Sequence, residues 1–530
     1  MLNRIYKMWL ILTGGVLCSA SLVAQSSDFG YIKNQNAWLT SENAAGLNSL
    51  SVKKASLAEV YFNKSNGDFI NYYQSNNSYT FGGLCESFFR QNEKTVFYGK
   101  VDYTNFAGKH MGGSTFYDPN YNPFDIVEYA DSTAGTKKME TYHLIGAIST
   151  IVSPKFVVGA KIDYVATSYF KTKDLRHTND LLDMNVTAGL RYQFSKRLDA
   201  GINYYYRRSV EGITFQSMGN TNQQFNSLIS FGSFLGRQER FGESGYTTES
   251  SNTPFFNEFH GVSVQLELSP ISNLRFFNEL GIKRRNGYFG KHSSTSVLFT
   301  EHNSTTFNYR GVLSFTKNTS VHQLELKLEE ENLKNFENAY RKETSSGGNT
   351  TIAYYGETQM LDRKRILASA EYTGNLHVKN NIPVWFLQAS ANFFERDQTV
   401  SVYPSYRKQT INQLHVGALI QRNIIRRINM YSIYFGSGYT AGGGTRNNDG
   451  RYGSADSKSS AVSLDRYLFR EYEYLTTSRI NETAGFRYTR SLPRNLKVYG
   501  DVRGELTKSF SARYLGNTFQ TVSLAIGCTF

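Results

Sequence analysis

The sequence predicts an all-β protein: a single transmembrane antiparallel up-and-down β-barrel of about 18 strands, within a range of roughly 14–18. Three observations predict it. Apolar and polar residues alternate with period two in many segments of similar length. The second face of these segments is polar or ionised. Short turns and long polar connections follow one another along the chain, as in barrels that cross an outer membrane.

Composition excludes several other classes. The chain has 530 residues, with 58 Lys and Arg against 44 Asp and Glu, so its net charge is 58 − 44 = +14. Phe and Tyr number 37 each, which is too many for a disordered chain, and 3 Cys are too few for a disulfide scaffold. The mean hydropathy of −0.44 is too polar for a helical membrane protein.

The first 25 residues are predicted to be a secretory signal peptide. Arg4 and Lys7 precede an apolar stretch at 8–16, and we expect cleavage after Ala24 or Gln25, although an uncleaved anchor is an open alternative. Loss of both cations leaves a charge of 14 − 2 = +12. No later run reaches about 18 apolar residues, so no transmembrane helix is expected.

The end of the chain shows the strand pattern well. Val522, Leu524, Ile526, Cys528 and Phe530 form one apolar face, and the residues between them are small or polar. Similar alternation occurs at 156–164, 198–207, 262–268, 385–393 and 498–507. A soluble sandwich would have to stack its apolar faces into a core. A barrel turns them towards lipid and its polar faces towards a lumen.

The connections divide into two kinds. Short turns are predicted at 90–94, 153–155, 195–197, 269–273, 317–320, 378–380, 422–426 and 493–495. Longer polar connections are predicted near 108–138, 171–183, 213–256, 287–303, 337–362, 397–407, 441–477 and 510–516. With a first strand within 55–73 and its partner at 78–90, the barrel domain covers 55–530, with short periplasmic turns and long extracellular loops.

Alternation also predicts which charged side chains line the lumen. They are Lys161, Asp163, Arg275, Glu279, Lys283, Arg310, Glu325, Lys327, Glu329, Arg487, Asp501, Arg503 and Glu505. One interpretation is an ion-lined conduit, since a barrel of 16–18 strands is wide enough for an aqueous channel. The other is a network of opposite charges that cross-links the wall and fills the interior.

Residues 26–54 are predicted to be a periplasmic tail or a small hatch inside the lumen. The segment contains Trp38 and has no strand pattern of its own. It is too short for the folded plug of an energy-coupled transporter, which also needs a wider barrel.

No catalytic, metal or cofactor site is expected. The 9 His are scattered without metal-ligand spacing. The richest polar cluster, Asp174, Arg176, His177, Asp180 and Asp183, suggests an Asp–His pair for hydrolysis or simply a solvated loop. Positive charge is spread over turns and lumen, so nucleic acid is not an expected partner. Cys85 and Cys528 are expected to be solitary thiols, with one disulfide as the alternative.

With these features in place, the chain resembles the outer-membrane barrels of Gram-negative bacteria. Val522, Leu524, Ile526 and Phe530 resemble the C-terminal signal that the barrel assembly machinery recognises. Val23-Ala24-Gln25 and the segment 43–47 (Asn-Ala-Ala-Gly-Leu) resemble those of uncharacterised Bacteroidota barrels. The resemblance implies localisation in the outer membrane, in contact with lipid and lipopolysaccharide.

Two functions are expected above others. The first is a passive channel or transporter for small solutes. The second is a structural or partner-binding barrel with a closed lumen, which would serve a surface or secretion assembly through a surface or periplasmic protein partner. An outer-membrane hydrolase is a remote third. A continuous water-filled path favours the first function and a salt-bridged or loop-filled lumen favours the second.

Overall fold

A computed structural model describes residues 28–218, 224–344, 346, 348–453 and 461–530. The predicted signal peptide, 1–25, lies outside the described residues. The helices are α1 (Asp28–Asn34) and α2 (Asp465–Thr476), with three short 3-10 helices, Ala37–Thr40, Ala44–Ser49 and Asp131–Thr133. The strands are β1 (Lys54–Gly67), β2 (Asn77–Arg90), β3 (Thr95–Met111), β4 (Asp125–Glu128), β5 (Gly135–Ser153), β6 (Phe156–Lys171), β7 (Arg176–Ser195), β8 (Leu198–Gln216), β9 (Asn226–Ser230), β10 (Leu235–Arg240), β11 (Thr253–Ile271), β12 (Leu274–Ser293), β13 (Ser296–Lys317), β14 (Ser320–Thr344), β15 (Thr350–Leu376), β16 (Trp385–Val402), β17 (Ser405–Arg426), β18 (Asn429–Arg451), β19 (Val462–Ser463), β20 (Arg479–Ser491), β21 (Lys497–Ser509) and β22 (Thr518–Thr529).

Eighteen of these strands form one closed antiparallel barrel, and β4, β9, β10 and β19 form a separate small sheet. The barrel closes where β1 pairs with both β2 and β22, so that Ala58 faces Cys85 on one side and Cys528 on the other. Strands lie about 4.8 Å apart, so the two cysteines are about 10 Å apart, too far for a disulfide. Both are free thiols. The predicted fold class is confirmed, and the strand number is 18.

The two ends of the barrel differ. Seven of the eight predicted short turns lie between consecutive barrel strands, at the end where β1 begins and β22 finishes. The eighth, 422–426, is the last part of β17, and the chain turns there at 427–428 instead. At the other end lie long connections, described at 112–134, 217–218, 224–252, 452–453 and 461–478. The predicted connections at 337–362 and 397–407 are instead mostly strand, because β14 with β15 and β16 with β17 continue as hairpins. Where both faces of a strand are polar, the period-two signal disappears although the backbone ladder continues.

The outer surface of the barrel is apolar. Leu324, Leu326 and Leu328 on β14 are exposed, while Glu325 between them is buried in the interior. Exposed apolar residues alternate with inward-facing polar residues in the same way around the barrel, as expected for a wall that faces hydrocarbon. No helix among the described residues is long and apolar enough to cross a membrane.

Two groups of residues fill the interior. The lower insert, residues 28–53, contains α1 and two of the 3-10 helices and lies at the short-turn end. The upper insert consists of the connections 112–134, 217–252 and 461–478, as far as they are described, and contains the small sheet and α2 at the long-connection end.

Candidate functional site: the filled lumen

The lower insert lies directly on the wall because glycines leave room for it. Gly159 of β6 and Gly189 of β7 are register partners. A Cβ atom at Gly159 would come within 2.3 Å of Ala45 N, and one at Gly189 within 2.1 Å of Asn43 Oδ1. Asn43 Nδ2 donates to Leu190 O at 2.8 Å, and its Oδ1 accepts the Ala45 N–H at 3.0 Å. The wall is therefore shaped for this segment.

Charged wall residues of β12 and β13 hold the same insert as well. Arg310 donates to Thr40 Oγ1 at 2.7 Å and to Ala37 O at 3.3 Å. Lys283 Nζ forms an ion pair with Glu42 Oε1 at 2.8 Å. Hydrogen bonds to charged groups contribute more than neutral ones, about 1.5–3 kcal/mol each. The insert is anchored by several such contacts.

Apolar packing completes the lower closure. Trp38 is 1% exposed, with its ring centroid 5.1 Å from that of Phe277 and the Arg191 guanidinium 4.5 Å above it. Leu39 packs in one cluster with Phe88, an inward-facing apolar residue of β2. Wall residues of this kind would be exposed to water if the insert left, which opposes its departure.

The predicted lumen-lining residues lie in this polar interior. Four of them contact the lower insert: Arg275, Glu279, Lys283 and Arg310. Seven others form ion pairs: Lys327 with Glu325, Arg487 with Asp501, Arg503 with Glu505, and Glu329 with Arg365. Asp163 Oδ1 lies 2.6 Å from His143 Nε2. Lys161 precedes Asp163 on the same face of β6. In this state the charges neutralise one another and hold the insert.

The residues of the predicted assembly signal lie on the outer surface. Val522, Leu524, Ile526 and Phe530 are all exposed, with Ile526 70% accessible. Such side chains are available to lipid. Recognition of this strand by the barrel assembly machinery stays a prediction.

The upper insert has an apolar core of its own. Phe116 and Phe124 of the insert pack edge to face, with ring centroids 5.3 Å apart, against Phe255 and Phe289 of the wall. This core explains why long polar connections fold inward. Burying each aromatic ring stabilises by about 1.5–3 kcal/mol.

Charged side chains also fix the upper insert. Arg396 of β16 donates two hydrogen bonds to the Glu471 carboxylate of α2, at 3.0 and 2.9 Å. Asp125 of β4 accepts hydrogen bonds from Ser114 Oγ at 2.6 Å and Tyr72 OH at 2.9 Å. Burial raises the pKa of the Asp125 carboxyl to about 6 in spite of these donors.

Between the two inserts, four buried charges were missed by the sequence analysis. Arg285, Glu331, Arg363 and Arg365 are each no more than 5% exposed. A signal was present: Arg285 follows Lys283, and Glu331 follows Glu329, one step further along an inward face. The arginines of β15 were overlooked because they directly follow a segment predicted to be a loop.

Two of the small cavities inside the filled lumen lie beside the inserts. One, of about 30 Å³, lies between the lower insert and the wall and is lined by Tyr31, Arg310 and Glu325 among others. The other, of about 50 Å³, lies beside Arg363, Arg396 and Asn122. Each has room for a few water molecules rather than for a solute.

The geometry gives little support to the Asp–His pair that the sequence suggested for hydrolysis. His177 is buried and its Nδ1 contacts Asn179, while Asp183 accepts from Arg207, so the predicted Asp–His pair is not assembled. His143 Nε2 lies 2.6 Å from Asp163 Oδ1, but His143 is only 2% exposed. No group of three potential metal ligands occurs among the described residues.

The fold and interior define a closed 18-stranded β-barrel with a filled lumen. Residues 44–530 match the model of a family of unknown function, DUF6850, and the chain belongs to that family. No curated protein matches it.

Solved barrels are similar at low identity. They include BauA, the ferric preacinetobactin receptor from Acinetobacter baumannii, at 9% identity over 89% of this chain and 80% of that chain, with a TM-score of 0.36. The outer membrane transporter YddB from Escherichia coli has 6% identity over 91% and 81%, with a TM-score of 0.41. The Pseudomonas putida toluene transporter TodX has 9% identity over 95% and 94%, with a TM-score of 0.29.

Proposed function

We propose that this protein is an outer-membrane barrel that passes small solutes through a lumen that is closed at rest. The apolar outer surface and the short-turn and long-connection ends support a location in the outer membrane, with the short turns in the periplasm. The exposed outer face would contact lipid and lipopolysaccharide. Cleavage of the signal peptide and recognition by the assembly machinery belong to the same proposal.

The observation that carries the proposal is that a wide polar wall is filled by segments that are not part of it. An 18-stranded barrel is wide enough for an aqueous channel, whereas about 8 strands suffice where side chains alone must fill the interior. The lower insert is covalently continuous with the wall only at Lys54, where β1 begins. Release of its contacts, together with movement of the upper insert, would open the path without breaking the barrel.

A reversible lock tests this function. Asn48 Nδ2 of the lower insert donates to Ser149 Oγ of β5 at 2.8 Å, so the pair N48C/S149C places two thiols on facing side chains across the contact between insert and wall. Both native cysteines are first replaced by serine. The matched control, T141C/T167C, joins two wall residues whose hydroxyl oxygens are 3.0 Å apart.

Flux of small polar solutes into proteoliposomes is the measurement. We expect slow flux through the unlocked protein, no flux through the oxidised N48C/S149C variant, and recovery when the disulfide is reduced. The oxidised control keeps its flux. Flux that is indifferent to the lock would contradict a gate at the lower insert.

The second candidate is a permanently closed barrel that binds a surface or periplasmic partner. The apolar core of the upper insert favours it, because Phe116, Phe124, Phe255 and Phe289 form one buried aromatic cluster that joins the insert to the wall. A folded protein that shows no flux in any of the forms above would favour this candidate.

A further inference from the structure

Three arginines converge on one glutamate at the level between the inserts. Arg285, Arg363 and Arg365 reach Glu331 with nitrogen–oxygen distances of 3.9, 3.9 and 3.2 Å. β12, β14 and β15 place them there because Glu331 faces Arg365 in the register, and Arg363 lies two residues earlier on the same inward face. The wall itself builds this cluster.

The arginines of this cluster are only partly paired at short range. Against the three guanidinium groups stand Glu331 and Glu329, which is 3.7 Å from Arg365, and the carboxylate of Asp118 also acts on Arg365. All three arginines are at least 95% buried, and the Nε atoms of Arg363 and Arg365 have no hydrogen-bond partner among the described residues. A buried cation with unsatisfied donors is costly unless something compensates it.

In the closed state a segment of the upper insert covers these donors. Arg285 donates to Tyr121 O at 3.0 Å, and Arg363 donates to Asn122 O at 3.1 Å. The Arg365 guanidinium lies 4.1 Å from the centroid of the Tyr121 ring. Carbonyl oxygens and a ring face are neutral acceptors, so they satisfy the geometry of the guanidinium groups without neutralising their charge.

We infer that Arg285, Arg363 and Arg365 form a binding site for a small oxyanion, a phosphate or a carboxylate, which residues 119–123 cover in the closed state. The oxyanion oxygens replace the backbone carbonyl oxygens of that segment as acceptors. A cavity of about 50 Å³, which Arg363 and Asn122 line, adjoins the site, and displacement of residues 119–123 would enlarge it. The inference rests on the proposed function and names anions as its substrate class.

Isothermal titration of the detergent-solubilised full chain, without added lipid, tests the site. Inorganic phosphate is the first ligand and succinate the second, at constant ionic strength. We expect saturable binding of at least one of them. Arg363→Gln weakens it roughly 10- to 100-fold, as expected for the loss of a charge-assisted hydrogen bond. Glu331→Gln, which keeps the shape but removes the competing carboxylate, strengthens it.

The control is Arg422→Gln, which removes the same charge from a side chain that lies over Trp385 rather than in the cluster. Heat-modifiable gel migration verifies that each variant is folded. Opposite effects of the Arg363 and Glu331 substitutions, with no effect at Arg422, support the site. No binding of either ligand, or equal losses in all three variants, would overturn it. Because binding is measured without flux, a failed site and a failed channel give different results.

Discussion

Replacing Trp38 by alanine tests how firmly the lower insert is docked. The indole is 1% exposed, contacts Phe277 edge to face and lies under the Arg191 guanidinium. Removal of such a side chain from a packed site costs about 3–5 kcal/mol. The undocked insert makes none of these contacts, so the whole cost falls on the docked state.

The free-energy cost of removing Trp38 determines how much faster the insert should exchange its amide hydrogens. At about 1.4 kcal/mol per factor of ten, the undocked population rises roughly 10²- to 10⁴-fold. Hydrogen exchange reports this opening. The amides to follow are those of Leu39, Gly46 and Leu50, whose hydrogen bonds lie within the insert. Their exchange should accelerate by the same factor while the amides of the barrel strands keep their protection.

Trp385→Ala is the matched control. Trp385 also carries an arginine 4.5 Å above its ring, but it begins β16 and belongs to the wall. We expect it to leave exchange in the insert unchanged. If Trp38→Ala left the three amides as protected as in the wild type, the docking described here would be wrong.

Three further outcomes are expected. In a background where Cys85 is replaced by serine, Ala58→Cys should cross-link to Cys528 on mild oxidation, because the two residues are register partners across the closing strands; absence of the cross-link on gels would contradict closure at this pair. Stability should depend on pH through Asp125, whose pKa of about 6 in the folded state exceeds the unfolded value of 3.8, so the folded state binds more protons between the two values. The contribution of Asp125 to the free energy of unfolding is therefore complete below pH 3.8 and is lost as pH rises through 6, with a loss of about 1.4 kcal/mol between pH 5 and 7.5. Asp125→Asn should flatten the dependence of the thermal unfolding temperature on pH in this range. Leu326→Arg should destabilise the barrel by about 2–4 kcal/mol in unfolding titrations if this exposed residue faces the hydrocarbon midplane, whereas Leu326→Met should be nearly neutral.

The barrel wall could be predicted because the alternation of its side chains depends only on residues that are close together in the sequence. Lipid on one side and a polar interior on the other impose period two on every membrane-facing segment, as at 522–530. The short turns follow from the same pattern, since each separates two alternating segments. The inward position of Arg310 or Glu325 follows directly from counting along a strand.

The filling of the lumen could not be predicted in the same way. The lower insert docks on Gly159 and Gly189, and the upper insert packs Phe116 on Phe255; both depend on contacts between residues far apart in the chain. A signal existed in the inward-facing Phe88 of β2, because an apolar side chain in a polar lumen needs a partner. The central arginines lie beyond the region where lipid enforces alternation.

Single-channel recording of the wild-type protein in a planar bilayer tests the central claim most directly. The claim is that two inserts close the lumen at rest. We predict a closed baseline interrupted by brief openings, with the folded state verified by heat-modifiable migration. A steady ohmic current after each insertion would show that the lumen is open at rest and would contradict the account.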